Sequence, residues 1–248
     1  MQQPRKIHDE LLLSVAEDHH LEGCELTTFF PMRGSKAKGE LMVVGRAVNK
    51  WSGMWTVEQA KIPERRKERI DEVVAKSSET IHRCPMQWVI DQWGREKCYN
   101  THRSAFWRVI RCVSRLLEIA TDDDWPKSLI WSNLYKVAPY KGGNPSPALM
   151  SAQLEKCKLH LAGEVRLWTP KRILFLTGWD WAEPFVNSLD HVSRQERDAE
   201  VKWVKWFGTV QVPGNDSTVQ VVVAVHPQGK KEAPIVKAIV ESFRQLAR

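Results

Sequence analysis

A chain of 248 residues with 42% hydrophobic content can bury one sizeable core, and its length does not require a second domain. Lys and Arg outnumber Asp and Glu by 37 to 30, a net charge of +7 that suits a polyanionic partner and is also common among basic enzymes. No apolar stretch approaches the roughly 20 residues that span a bilayer, and the opening MQQPRKIHDE lacks the apolar core of a signal peptide, so a soluble, cytoplasmic monomer is expected. Five scattered cysteines, an odd number, fit reduced thiols rather than a disulfide framework.

In chain order, residues 7–20 predict a short amphipathic helix. Leu41 to Val44 form a continuous apolar run too short for an independent helix, and therefore a strand buried on both faces, with Gly45 letting the chain leave the sheet. From about 52 to 99 the chain is polar, charged and rich in tryptophan, and reads as an insertion containing one solvated helix. Residues 104–120 carry apolar positions at helical spacing, with Ser104 available as a cap. Leu129 to Trp131 predict a second strand that ends at Ser132 and Asn133. A glycine- and proline-rich loop, YKGGNPSP, precedes a long helix with Pro147 in its first turn. RILFLTG repeats the pattern of a buried strand followed by glycine. WVKWFGTVQV and VQVVVAV predict a two-stranded ribbon joined by the turn PGNDS, and a C-terminal amphipathic helix closes the chain. Strands alternating with helices imply a three-layer α/β/α sandwich around a central, mainly parallel four-stranded sheet, in one domain spanning 1–248.

Twelve tryptophans are many for this length. Trp51, Trp55, Trp88, Trp93, Trp203 and Trp206 sit in polar surroundings, where they stack on bases or close a small core; burial is the commoner use of such side chains.

Four strand ends present GRAVNKW, SNLYKVAP, TGWDW and HPQGKK. In open α/β sheets ligands bind beyond the carboxyl ends of the strands, so this edge gathers an amide (Asn133), an imidazole (His226) and a cationic rim, a set suited to reading a nucleobase beside phosphate.

These segments, in this order, resemble the uracil-DNA glycosylase superfamily. GRAVN occupies the position of its first motif, SAFWRVI is similar to the segment bearing its base-stacking Phe, and SNLYKVAPYKGGNPSP resembles the stretch whose Asn reads the base in the iron–sulfur branch. VAVHPQGKK resembles its H-P-S motif. The resemblance covers about residues 40–247 apart from the insertion. It implies a DNA glycosylase, which flips a nucleotide out of the stack and hydrolyses its N-glycosidic bond to leave an abasic site. It further implies that Asn133 pairs with the base edge, Phe106 stacks on its face, Arg46 contacts the substrate, and His226 meets the carbonyl oxygen on which negative charge develops. Lys50, Lys136, Lys230 and Lys231 are assigned to DNA phosphate.

The sequence departs from this family in two places. Val137 stands where a cluster-binding cysteine is expected, Cys157 is the sole positional match and C-x2-C is absent, so neither an iron–sulfur cluster nor another cofactor is expected. His82, Cys84, Cys98 and His102 offer zinc-type ligands in an irregular spacing, and no metal is assigned to them. The first motif also has Arg46 and Ala47 where related enzymes carry Asp, Glu or Asn. Asn49 then holds the water, or Glu58 or Asp91 supplies a carboxylate. Strict uracil enzymes place a C5-blocking Tyr at the position of Asn49, so the smaller side chain points to a 5-modified pyrimidine, such as an enlarged cytosine of bacteriophage DNA, and to antiphage defence. An ordinary uracil or mismatch repair glycosylase, a nucleic-acid-binding module without hydrolytic chemistry, and a small-molecule enzyme using the same sheet edge stay open as alternatives.

Overall fold

The structure, a computed structural model, describes residues 2–78, 80, 83–97, 99–194, 202–212 and 217–247. The expected turn PGNDS falls mostly outside these residues, as do His82 and Cys98 of the zinc-type group. The elements in chain order are α1 (Gln2–Glu17), β1 (Glu25–Thr28), β2 (Met32–Arg33), β3 (Met42–Gly45), β4 (Trp55–Thr56), α2 (Val57–Lys61), α3 (Pro63–Ser77) and α4 (Gln87–Asp91). They continue with α5 (Ala105–Leu116), β5 (Ile130–Asn133), β6 (Val137–Pro139), α6 (Pro147–Trp168), β7 (Arg172–Leu176), α7 (Trp179–Val186), β8 (Asp190–Arg194), β9 (Val204–Gln211), β10 (Thr218–Ala224) and α8 (Glu232–Leu246).

The expectation of a four-stranded sheet is corrected: the main sheet is mixed and has seven strands, in the order β2-β5-β3-β7-β10-β9-β8. β5, β3, β7 and β10 run parallel to one another, whereas β2, β9 and β8 pair antiparallel at the two sides. The ribbon read from the sequence is β9 and β10, and β8 lengthens it into an edge. A second, small sheet joins β4, β1 and β6, strands too short for periodicity to reveal.

Apolar alternation along the parallel strands divides the interior in two. Met42, Val44, Ile173, Phe175, Val221 and Val223 face a core closed by α1, α2, α3, α6 and α7. Leu41, Val43, Leu174, Leu176, Val222 and Ala224 face a core closed by α4, α5 and α8. Helices thus cover both faces, and strand side chains on either side are withdrawn from water, which is why these strands read as unbroken apolar runs.

Helix boundaries follow local chemistry. Ser146 caps α6 through its side chain to Leu149 N, with Pro147 at the first helical position, where its missing N–H costs nothing. Ser104 precedes α5 but makes no side-chain cap bond. α1 begins earlier than expected, and Leu11, Leu12, Val15 and Ala16 bury one face of it.

Residues 52–99 are woven into both faces. Ser52 exchanges hydrogen bonds with Thr27 and Thr28 of β1, Trp55 pairs with Leu26, and Ile70, Val73 and Val74 of α3 enter the first core. Met86 and Val89 enter the second. There Trp51, Trp88, Trp107 and Trp131 pack edge-on or tilted, with centroids 5.1–5.5 Å apart. The buried indole N–H groups of Trp51, Trp88 and Trp131 lack hydrogen-bond acceptors, a cost that contact between ring edges and neighbouring π faces partly offsets. Trp55 and Trp206 are buried, and Trp93 and Trp203 pack against the second core, so these tryptophans serve packing.

Trp107 is 2% exposed at the centre of this aromatic group. Trp107→Ala is expected to lower stability by about 3–5 kcal/mol, measured as a lower denaturation midpoint with a similar denaturant dependence.

Candidate active site

Because β5, β3, β7 and β10 are parallel, the residues after each of them emerge at one edge of the sheet. Backbone bonds of 2.9 Å tie these exits together: Leu134 N to Gly45 O, Tyr135 N to Arg46 O, and Gly178 N to Ala224 O.

Gly45 lies opposite Asn133 in the ladder. A Cβ at Gly45 would lie 2.5 Å from Asn133 Oδ1 and 3.5 Å from Phe106 Cε2. The glycine is therefore required by close approach; it is not among the glycines with positive φ, so the sharp exit expected of it is not its role. Asn133 is 3% exposed, and its Nδ2 is buried without a hydrogen-bond partner. A buried donor left unpaired costs on the order of 1–3 kcal/mol, which a ligand acceptor would recover. Phe106, half-buried, meets Trp107 edge-on at 5.0 Å, which fixes its ring beside the Asn133 amide.

Arg46 leaves β3 towards β7. Its Nε donates to Thr177 O at 2.8 Å, and its guanidinium lies over the Trp181 ring at 4.8 Å. Burial lowers its pKa, and the nearby carboxylate of Asp180 opposes that shift. Arg46 also reaches His226 electrostatically. Burial, then the charges of Arg46 and Lys230, push the His226 pKa down to about 4, so the imidazole is neutral at physiological pH. Its Nδ1 faces Gln228 N–H at 3.4 Å, which favours the tautomer with the proton on Nε2. Lys230 donates to His226 O at 2.9 Å while staying exposed, as does Lys231.

Asn49 and Lys50 are exposed on the loop beyond Gly45. Asn49 Oδ1 lies 2.5 Å from where a Cβ of Gly142 would stand, and Gly142 has φ +100°, so glycine is needed there for both space and conformation. Lys50 adopts φ +53°, a left-handed conformation unusual for a residue with a side chain. The structure therefore brings together Gly45, Asn133 and Phe106; Arg46, His226 and Lys230; and Asn49, Lys50 and Gly142. Glu58 instead accepts Gly23 N–H at 2.9 Å, and Asp91 accepts from Gln87, so neither joins this edge. Two surface hollows, of about 400 Å³ beside Trp55 and Arg69 and about 530 Å³ between α5 and α8, contain none of these residues.

Lys136 requires correction. It is fully buried and cannot reach DNA phosphate. Its ammonium spends its three protons on Ser132 Oγ at 2.7 Å, Asn133 O at 2.6 Å and Glu164 Oε1 at 2.7 Å. His160 Nδ1 meets the same Glu164 oxygen at 2.8 Å, and His8 packs edge-on against His160 while bonding Thr28 Oγ1 at 3.1 Å. Burial pushes the Glu164 carboxyl up, but Lys136 and His160 together pull it below its usual range; burial holds both histidines low. This network was not foreseen, because its members lie on α1, α6 and the β5–β6 connection. Asp180 was also missed, although it stands within TGWDW.

Cys157 is buried, its thiol pushed up to about 12, and it donates to Gln153 Oε1. Cys84 Sγ accepts Ser35 N–H, and His102 lies against Trp93 at 5.0 Å. Among the described residues, Asp18, His19 and His20 alone bring three possible metal-ligand atoms within 4.8 Å of one another, on the surface, with Asp18 already accepting His20 N–H. No helix among the described residues is long and apolar enough to cross a membrane. No protein-family model matches the chain, and no curated protein matches it.

The His226 ring should titrate near pH 4 when followed by NMR, and Arg46→Met should raise that midpoint towards the ordinary value of 6.5. With the folded pKa below the unfolded one, this group's contribution to stability is complete above about 6.5 and is lost as the pH falls towards 4.

Proposed function

We propose that the protein is a DNA glycosylase acting on a flipped pyrimidine, and the observation that carries this reading is the buried, unpartnered amide of Asn133 set beside the Phe106 ring. A base entering this edge offers a hydrogen-bond acceptor, N3 for a cytosine or O4 for a uracil, to Asn133 Nδ2 and its face to Phe106, so it recovers the cost of an unpaired donor. The C1′–N bond breaks with its electron pair moving onto the base, and the sugar becomes an oxocarbenium ion. A neutral His226, donating from Nε2, stabilises the negative charge on the base oxygen without protonating it beforehand. Water then adds to C1′, and its proton leaves with the departing base.

Arg46 is held against Thr177 and Trp181, with the Asp180 charge nearby, and its own charge reaches His226. Asn49 orients the water, and Asp180, whose charge acts on Arg46, is a carboxylate near the β3 exit. Lys50, Lys230 and Lys231, all exposed, bind phosphate, and Lys136 takes no part in that contact. The small side chain at Asn49 leaves room for a substituent on pyrimidine C5, which supports a modified cytosine of phage DNA as substrate and a role inside the cell in antiphage defence.

The test is an abasic-site assay with alkali cleavage on duplexes carrying uracil, a thymine mismatch or 5-substituted cytosines. Excision of 5-substituted cytosine is expected, with His226→Ala slowing it by about 10²-fold or more and Asn133→Ala and Asn49→Ala also reducing it. Cleavage of uracil alone would overturn the modified-base reading. Retained DNA binding without excision of any base would favour a binding module, and absence of DNA binding at low salt would favour a small-molecule enzyme.

A further inference from the structure

We infer that Lys136, held by Glu164 and His160, is the positioning residue for Asn133, an inference that rests on the glycosylase reading of this site.

β5 ends at Asn133, the last paired residue of the ladder, and two backbone bonds, Leu134 N to Gly45 O and Tyr135 N to Arg46 O, follow it before the chains diverge. The Asn133 carbonyl shares its peptide plane with Leu134 N–H, so the bond to Gly45 O holds one side of that plane and Lys136 holds the carbonyl on the other. Lys136, three residues on, turns back over this segment and bonds both that carbonyl and the Ser132 hydroxyl. Its third proton goes to Glu164, whose other contact, His160, comes from the same face of α6 one turn earlier. The clamp therefore fastens the end of β5 to a long helix packed on the sheet.

Stability alone does not account for this arrangement. A buried ion pair recovers little more than its desolvation cost, and apolar side chains of similar volume commonly stabilise as well or better. What a buried ammonium with three directed bonds supplies is a single backbone orientation. Asn133 has no freedom to spare on the side of Gly45, where even a Cβ would lie 2.5 Å from its Oδ1. A small rotation of its peptide would carry Nδ2 away from the base edge. Glu164 keeps one oxygen unpartnered, so the network's bonding is concentrated on the side that faces Lys136.

Two measurements test this. The Asn133 side-chain amide resonance pair, assigned by its loss in Asn133→Ala, should shift and broaden in Lys136→Met and in Glu164→Gln, but not in the surface control Lys158→Met. Single-turnover excision at saturating DNA should fall by about 10²-fold in Lys136→Met, the scale expected for small displacements of a positioned group. In an Asn133→Ala background the same change should cost less than about 3-fold, because the two substitutions remove one function. Equal losses in both backgrounds, or an unmoved resonance in folded Lys136→Met and Glu164→Gln, would overturn the inference. Where Lys136→Met fails to fold, Glu164→Gln, which preserves shape, decides by the same two readouts. If the wild-type protein excises no base, the glycosylase reading falls, and the resonance measurement alone decides whether Lys136 positions Asn133.

Discussion

Four adjacent parallel strands buried on both faces leave few places for polar chemistry: the sides of the sheet, which β2 and the β9–β8 ribbon cover, and the two ends of the strands. At the carboxyl end the ladder stops, backbone groups lose their partners, and each chain turns away in a loop. Asn133, Arg46, Gly178 and His226 all occupy that boundary. Their neighbourhood follows from strand register alone, since Gly45 is paired with Asn133 and Ala224 with Leu176. A shift of one residue in β3 or β5 would exchange inward and outward side chains and dismantle both cores as well as the site.

Charge at this edge is arranged by contact rather than by net balance. Burial, and after it the charges of two cations, keep the His226 imidazole neutral, while the Arg46 guanidinium is held by a carbonyl and an indole face with the Asp180 charge nearby. Beneath them a lysine and a glutamate are sealed together away from water. After two adjacent strands the chain thus uses lysine in two opposite ways, as a solvated charge at Lys50 and as an internal fastener at Lys136.

The parallel core was legible because burial on two faces leaves an unmistakable residue pattern. Leu41 to Val44 and RILFL admit few other readings, and Ser146 with Pro147 announces the start of α6. The small sheet of β4, β1 and β6 was not legible, since strands of two to four residues have no period to detect. α7 was hidden by Pro184, and the outer extent of the sheet by the short length of β2 and the polar sequence of β8. Lys136 was misassigned because nothing local separates it from a surface lysine; its burial depends on Glu164 and His160, which reach it from a distant helix. Gly45 was noticed for the wrong reason, as a hinge rather than as the gap that admits the Asn133 amide.

The loop of Asn49 is anchored through Trp51. Lys76 of α3 lies over the Trp51 ring at 4.3 Å and donates to its carbonyl, and α3 is itself fastened to α1 by Arg66 with Asp9 and Arg5 with Asp71. These contacts link the loop of Asn49, through α3, to the amino-terminal helix. The amino-terminal helix, far from the candidate chemistry in sequence, is thus two side-chain contacts away from the Asn49 loop.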